Sequence, residues 1–291
     1  MPQYKHNDIL FLFNPNSGRK KYKPILRQLQ VLAPDIAFAV CPTAAALDNA
    51  FEKYLVEKNV FVIVGGDGSV HQAAKHLLHK SDKCLAVYPN GSGNGFANET
   101  GFTANLPSLL EKIKKGKTKQ LDALDLNGHT CINVAGLGID GAVSHAFASA
   151  LNRGLWQYIR LTIKIFFGFK PFKLELTING EIHIEELLMI TLANTRQFGN
   201  NAIISPNANP QDGILNITLL RPFPLYLFPI FSWRLFKGTL KPGKYIHFLA
   251  SDNAVEINAN NTQLHIDGEP RNIPNPINVK VAKGALRIIS V

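Results

Sequence analysis

The sequence predicts an α/β fold in two domains. A parallel-sheet α/β domain over residues 1–123 is followed by a β-rich antiparallel domain over residues 124–291. Three observations carry this reading. Strand, glycine-loop and helix signals alternate through the first part of the chain. Past Leu121 the pattern changes to short strands separated by turns. Finally, 291 residues with 46% hydrophobic side chains exceed what a single core serves efficiently.

Ile9 to Phe13 is an apolar run that stops at Asn14-Pro15, a strand breaking into a loop, and a basic helix-like stretch from Lys20 to Leu32 follows. Val60 to Val64 is a second strand, ended by Gly65-Gly66. From Ser69 to His79 the apolar residues Val70, Ala73, Ala74, Leu77 and Leu78 fall at helical spacing. Cys84 to Tyr88 is a third strand, ending in Pro89 and another glycine cluster, with a short helix expected over Phe96 to Glu99. In the second domain Phe172 to Ile178 and Glu181 to Ile184 flank Asn179-Gly180, a hairpin signal. Ala254 to Asn258 and Gln263 to Ile266 read as strands, and Ala142 to Phe167 and Pro224 to Phe236 as helical interruptions.

Composition removes several function classes. The amino terminus lacks the basic, apolar and small-residue succession of a signal peptide and reads as a first strand. Cys41, Cys84 and Cys131 have no CxxC spacing, which argues against a zinc site or disulfide framework and suits a reducing cytoplasm. The most apolar run, Pro222 to Phe236, is broken by Pro224, Pro229 and Arg234 and falls short of the roughly 20 apolar residues of a membrane-spanning helix. The net charge of +10 is spread over both domains and favours encounters with phosphates or an anionic surface without choosing between them.

Three glycine loops carry the chemistry. Asn14-Pro15-Asn16-Ser17-Gly18 lies between a strand end and a basic helix start, where backbone amides and the helix dipole favour phosphate; by itself it is equally an ordinary turn. Gly65-Gly66-Asp67-Gly68-Ser69 lets backbone amides approach an anion without β-carbon obstruction. A carboxylate there would repel bare phosphate, so Asp67 implies a Mg²⁺ partner or proton handling; the bland alternative is that Asp67 and Ser69 cap the next helix. Pro89-Asn90-Gly91-Ser92-Gly93-Asn94-Gly95 is the third, and loops at successive strand ends meet at one edge of a parallel sheet. No Walker A motif is present.

In that order NPNSG, GGDGS and NGSGNGFA resemble the motif series of the diacylglycerol kinase catalytic-domain family, the diacylglycerol and sphingosine-type lipid kinases. Leu121-Asp122, the segment Asn133 to Asp140, Pro206 to Leu215, Asp267-Gly268-Glu269 and the final GALRIIS strand extend the resemblance over nearly the whole chain. The resemblance implies an NAD-kinase/diacylglycerol-kinase-like fold whose second domain is a β-sandwich, with ATP held between the domains. Its nucleotide set would be Asn14, Asn16, Ser17, Gly18, Thr43, Gly65, Gly66, Asp67, Gly68, Ser69, Gly91, Ser92, Gly93 and Asn94. It places Asp267 as acceptor of the substrate hydroxyl proton, Glu269 and Asp67 as positioning Mg²⁺ or water, and Asp140 near the acceptor hydroxyl. It implies a lipid acceptor, ATP and Mg²⁺ as cofactors, and a cytoplasmic enzyme peripheral to anionic membrane, with no nucleic-acid partner and no statement on oligomeric state. The departures are Gln72 where the family usually has Glu, Gly95 where it has Asp, and Gln211 where a second Asp precedes Asp212-Gly213. The last leaves Asp212 as the single carboxylate of a structural Mg²⁺ site.

Several features have competing readings. Gly136 to Gly141 is formally GxGxxG, but no second strand ends about 20 residues on, and a tight turn is the better account. His76 and His79 share a helix without a third ligand and read as a solvated face. The aromatic segments Leu155 to Phe169 and Leu225 to Phe236 are flanked by Arg and Lys and serve either core packing or shallow membrane docking. An NAD kinase and a catalytically silent nucleotide- or lipid-binding regulator remain as rival functions.

Overall fold

The computed structural model describes residues 4–18, 22–150, 155–260 and 263–291. The chain divides into two compact units, one of residues up to Leu121 with Gly284–Val291, the other of Asp122–Lys283.

The first unit runs β1 (Ile9–Phe13), α1 (Tyr22–Leu32), β2 (Ala37–Val40), α2 (Ala44–Tyr54), β3 (Val60–Gly65), α3 (Asp67–Leu77), β4 (Cys84–Pro89), α4 (Gly95–Thr100) and α5 (Leu106–Lys115), then enters β5 (Thr118–Leu126). Its strands lie parallel in the order β2-β1-β3-β4, with Ile288 of the last strand beside Leu85 of β4. Strands β1 and β3 are buried along their whole length, as continuous apolar strands covered on both faces must be. The helix read from Ser69 begins two residues earlier because Gly66 already has the extended backbone of an N-cap. It ends at Leu77, after which Leu78 turns extended and His79 takes a φ of +59°. For the stretch read from Lys20, positions 20 and 21 lie outside the described residues and the helix is described from Tyr22. Helices α2 and α5, each N-capped by a side chain (Thr43 to Ala46 N–H, Asn105 to Ser108 N–H), have no counterpart in the sequence reading.

The second unit continues with β6 (His129–Cys131), β7 (Val134–Gly138), α6 (Ile139–Ala148), α7 (Leu155–Gly168), β8 (Phe172–Ile178), β9 (Glu181–Leu187), β10 (Met189–Ala193), β11 (Leu215–Leu220), α8 (Phe228–Lys237), β12 (Ile246–Ser251), β13 (Val255–Ala259), β14 (Gln263–Ile266), β15 (Glu269–Asn272) and β16 (Ile277–Ile289). One sheet runs β12-β11-β10-β7-β14-β15 and is antiparallel throughout. Against it packs the antiparallel set β16-β13-β8-β9. Leu174, Leu176, Val255 and Ile257 from one layer meet Leu137, Ile190, Leu192 and Ile217 from the other in a shared core, which makes this unit a β-sandwich. Strand β8 alternates buried and outward residues as a half-covered strand should. Its hairpin to β9 turns on Asn179-Gly180, both at positive φ, as the sequence predicts. The helical interruption read over Ala142 to Phe167 is two helices, α6 and α7, and the one at Pro224 is a short 3₁₀ turn (Leu225–Leu227) leading into α8.

Candidate active site

In the first unit the sheet order makes β1 the point of reversal. The chain steps from β1 outward to β2, then returns past β1 to β3, so the connections leaving the carboxyl ends of β1 and β3 run to opposite sides, the switch point at which open α/β sheets take ligands. The loop after β1 is built from Asn14: its backbone N–H donates to Val64 O, its side-chain Nδ2 donates to Ser69 Oγ at 2.7 Å, and its Oδ1 accepts from Asn16 N at 2.9 Å. One asparagine thus ties the first loop to the start of α3. Asn16 Nδ2 donates to Pro42 O at 2.8 Å, beside the Thr43 cap of α2. Asn90 Nδ2 donates to Ser17 Oγ at 3.2 Å, and Gly18, at φ +56°, lies against Asn90 so closely that a β-carbon would stand 2.2 Å from its carbonyl oxygen.

The second and third loops interlock. A β-carbon on Gly91 would stand 2.5 Å from Gly66 Cα, so the two backbones touch where any side chain would hold them apart. Asn94 closes the third loop on itself, accepting from Gly91 N at 2.8 Å and donating to Gly91 O at 3.0 Å while at φ +51°. Asp67 Oδ1 accepts from Phe96 N at 3.1 Å, which orients α4 against the GGDGS loop. The three loops predicted to hold phosphate are therefore brought together, with side-chain amides and hydroxyls knitting them to one another. Gln72 lies one turn further along α3 and donates to Asp48 Oδ1 at 2.7 Å. His76, read as part of a solvated face, also reaches Asp48 Oδ1 at 2.7 Å and stacks on Phe51 at 4.6 Å. Burial alone would raise the Asp48 carboxyl, but hydrogen bonds from His76 and Gln72 outweigh it and leave the group below its ordinary value.

The second unit holds the other candidates. Asp267 and Gly268, at φ +51° and +83°, are the two turn residues of the β14–β15 hairpin, the conformation a type I′ turn requires. The Asp267 carboxylate receives backbone N–H bonds from Ile132 (2.9 Å), Asn133 (2.8 Å) and Val134 (3.2 Å) and the Cys131 thiol at 3.1 Å. These donors tie the hairpin to the start of β7; by itself the Asp267-Gly268-Glu269 triplet reads in the sequence as a turn between strands, and Asp267 does stand in that turn. Burial, followed by the adjacent Asp267 carboxylate, pushes the Cys131 thiol well above its ordinary value. Glu269, two residues on, is exposed at the start of β15. Asp140 is buried in the first turn of α6, with Oδ1 accepting from Gly141 N at 2.8 Å and Oδ2 facing His265 Nε2 at 3.3 Å. The glycines around it are no dinucleotide fingerprint: β7 is flanked by two antiparallel neighbours, β10 and β14, where that motif needs a parallel βαβ unit.

Asp212 is exposed, and its Oδ1 accepts from Ile214 N at 3.0 Å. Beside it stands Gln211, and among the described residues no three His, Cys, Asp or Glu side chains gather. A cation at this turn would draw most of its ligands from backbone carbonyls and water. Asp122, within the resembling Leu121-Asp122 pair, is buried and accepts from Gly213 N at 2.7 Å, so the same turn is anchored by a carboxylate from β5.

A parallel α/β unit with glycine loops at its point of reversal, together with a β-sandwich unit, is the architecture of the NAD kinase and diacylglycerol kinase class. Residues 8–126 match the diacylglycerol kinase catalytic domain, and residues 133–290 match the YegS C-terminal NAD kinase beta sandwich-like domain. The chain is 29% identical over 221 residues to a "Probable lipid kinase YegS-like" of Shewanella frigidimarina, covering 72% of this chain and 69% of that one. It is 30% identical over 193 residues to a "Diacylglycerol kinase" of Mycobacterium tuberculosis, covering 61% and 60%. The crystal structure of a diacylglycerol kinase from Bacillus anthracis superposes with a TM-score of 0.76 over 98% of this chain and 97% of that one; at 17% identity it attests the fold. The protein belongs to the family of YegS-like and diacylglycerol-type lipid kinases.

Proposed function

We propose that this lipid kinase transfers the γ-phosphoryl group of ATP to a hydroxyl of diacylglycerol or a closely related lipid. The observation that supports the donor is the meeting of the three loops, above all the Gly66–Gly91 contact. It brings two glycine-rich loops together, backbone to backbone, at the carboxyl edge of a parallel sheet, the arrangement that receives a polyphosphate. Asp67 is the carboxylate suited to Mg²⁺ arriving with the nucleotide, since magnesium takes one or two protein carboxylates and completes its shell with phosphate oxygens and water. Bound there, the ion would neutralise charge on the transferring phosphoryl group. Asp267 would accept the proton of the attacking hydroxyl, Asp140 would orient the acceptor headgroup, and Glu269 would hold water or the ion in place.

The acceptor must come from a bilayer, and the second unit carries a surface suited to one. Phe166 of α7 packs on Phe228 of α8 at 4.4 Å, so the inner faces of both segments are core. Their outer faces are not: Phe167, Tyr226, Ile230 and Trp233 are exposed, Tyr226 by 76%. Core packing, one of the two competing readings of the sequence, accounts for the inner faces, and exposed aromatic outer faces support docking as the role of the other side. No Asp or Glu occurs between Asp140 and Glu175 or between Asp212 and Asp252, while Arg160, Lys164, Arg234, Lys237, Lys241 and Lys244 do. Aromatic side chains on acid-free, basic segments match the interface of an anionic membrane. No described helix is long and apolar enough to cross a membrane.

Incubation of the purified protein with labelled ATP, Mg²⁺ and a total lipid extract tests the reading, with NAD as a parallel acceptor. A labelled phosphatidic acid is the expected product. Label in NADP with none in lipid would replace diacylglycerol by NAD as the acceptor.

A further inference from the structure

A buried polar cluster over Gly136 links Asp140 to Asp267, two of the carboxylates to which the lipid kinase reading gives roles. Strand register sets Thr191, Gly136 and His265 side by side on β10, β7 and β14, so their side-chain directions share one face. Asp140, at the start of α6, turns back over that face, and a β-carbon on Gly136 would stand 2.0 Å from its Oδ2. The glycine makes room for the carboxylate.

The ring nitrogens of His265 have different neighbours. Gly268 N–H donates to Nδ1 at 3.2 Å, so Nδ1 is the accepting nitrogen and the ring proton belongs on Nε2. Nε2 faces Asp140 Oδ2 at 3.3 Å, with both side chains only 4% exposed. That separation is within ion-pair reach, yet Asp140 Oδ2 has no well-aligned hydrogen bond, and neither has the buried Thr191 hydroxyl. Gly268 directly follows Asp267 in the hairpin turn, and Ser144 Oγ of α6 donates to Gly268 O at 2.7 Å. The imidazole thus stands between Asp140 and the turn that presents Asp267.

We infer that His265 is a positioning residue for lipid phosphorylation, a neutral imidazole protonated at Nε2 that sets Asp140 toward the acceptor with one nitrogen and holds the Asp267–Gly268 turn with the other. This role rests on the lipid kinase reading above, whereas the tautomer of the ring does not. The two nitrogens are separable by substitution: His265→Asn keeps an acceptor near Nδ1 and loses the donor, and His265→Gln keeps a donor near Nε2 and loses the acceptor.

Nitrogen-15 NMR of the intact chain at neutral pH, with His265→Gln assigning the signal, reads the ring directly. The Nε2–H tautomer is expected; an Nδ1–H ring or an imidazolium overturns the inference. In steady-state assays on diacylglycerol vesicles, His265→Asn should raise the acceptor KM about 10-fold with kcat within about 2-fold of wild type. His265→Gln should do the reverse, lowering kcat about 10-fold with KM nearly kept. Identical effects of both variants on KM and kcat, tracking equal losses of Tm, would reduce His265 to a structural residue and overturn the role. A wild-type chain that shows the Nε2–H ring and phosphorylates no lipid overturns the role through failure of the kinase reading, which the spectrum distinguishes from a wrong ring assignment.

Discussion

Gly66 and Gly91 meet backbone to backbone: the Cα of Gly66 lies 2.5 Å from the position a β-carbon on Gly91 would take, and a β-carbon on Gly66 would lie 3.1 Å from Gly91 Cα. The asymmetry ranks two substitutions. Gly91→Ala must push the loops apart, whereas Gly66→Ala requires a shift of only a few tenths of an ångström. Calorimetric titration with ATP should show affinity lowered roughly 10- to 100-fold by Gly91→Ala, or about 1.4 to 2.8 kcal/mol, and less by Gly66→Ala. Far-UV circular dichroism should remain that of the wild type in both. Wild-type affinity in Gly91→Ala would remove the phosphate site from these loops.

Docking by the outer faces of α7 and α8 predicts salt-sensitive sedimentation with anionic vesicles and little with neutral ones, because the attraction to basic side chains is screened within about 8 Å at physiological salt. Trp233→Ala, at a side chain 60% exposed, should weaken co-sedimentation several-fold while leaving Tm within about 1–2 °C of wild type, as exposed substitutions normally do. Equal pelleting with anionic and neutral vesicles would discard the docking surface and leave the phosphate loops untouched.

The parts of the structure legible in the sequence are those where local signals coincide with tertiary ones. Buried parallel strands are continuous apolar runs, so β1, β3 and β4 stand out, and the glycine loops follow them directly. Strand β2 is half exposed and only four residues long, too short to give a period, and α2 and α5 begin at Thr43 and Asn105, residue types that mark turns as readily as helix caps. The meeting of the loops was foreseeable from the grammar of parallel sheets, but the Asn14–Ser69 and Asn90–Ser17 bonds that knit them span 55 and 73 residues and leave no local trace. The same holds for Asp267, whose donors lie more than 130 residues away in sequence. His265 carried no signal at all, because a lone histidine in a strand acquires meaning only when its register partner is a glycine lying beneath a carboxylate.

The buried thiols predict an alkaline limit on stability. Burial raises Cys41 to about 11 and Cys84 to about 12 from an ordinary value of 9.0, with Arg287 opposing part of the second shift. Above pH 9 the unfolded chain loses these protons while the folded chain keeps them. The unfolded state then binds fewer protons, and stability falls as pH rises, by up to about 1.4 kcal/mol per pH unit for each fully withheld thiol. Below pH 9 the effect is absent. Urea midpoints measured at about pH 8 and about pH 10 should show the decline, and Cys84→Ala, though less stable at the lower pH, should decline less steeply. A wild-type midpoint that is flat between the two would mean that the thiols ionise in the folded state.

Asp267 carries two predictions that pull in different directions. As the carboxylate proposed to accept the hydroxyl proton, its loss should lower turnover; as the group receiving Ile132, Asn133 and Val134 N–H, its loss should lower stability. Asp267→Asn turns one of two accepting oxygens into an NH₂ that faces a backbone donor, and a hydrogen bond to a charged group is worth about 1.5–3 kcal/mol, so Tm should fall by roughly 5–10 °C. Turnover per folded molecule, measured well below that Tm, should fall by about 10²-fold. The lower end of the range for a positioned base applies because a loose phosphoryl-transfer transition state takes the proton late. ATP affinity should stay within about 2-fold of wild type, since the phosphate loops belong to other segments of the chain, whereas Asp67→Asn should weaken Mg²⁺-dependent nucleotide binding. Scanning calorimetry and single-turnover rates on one preparation separate the two roles. A lowered Tm with an unchanged rate in the folded fraction would leave Asp267 the anchor of its hairpin and pass the proton to another group.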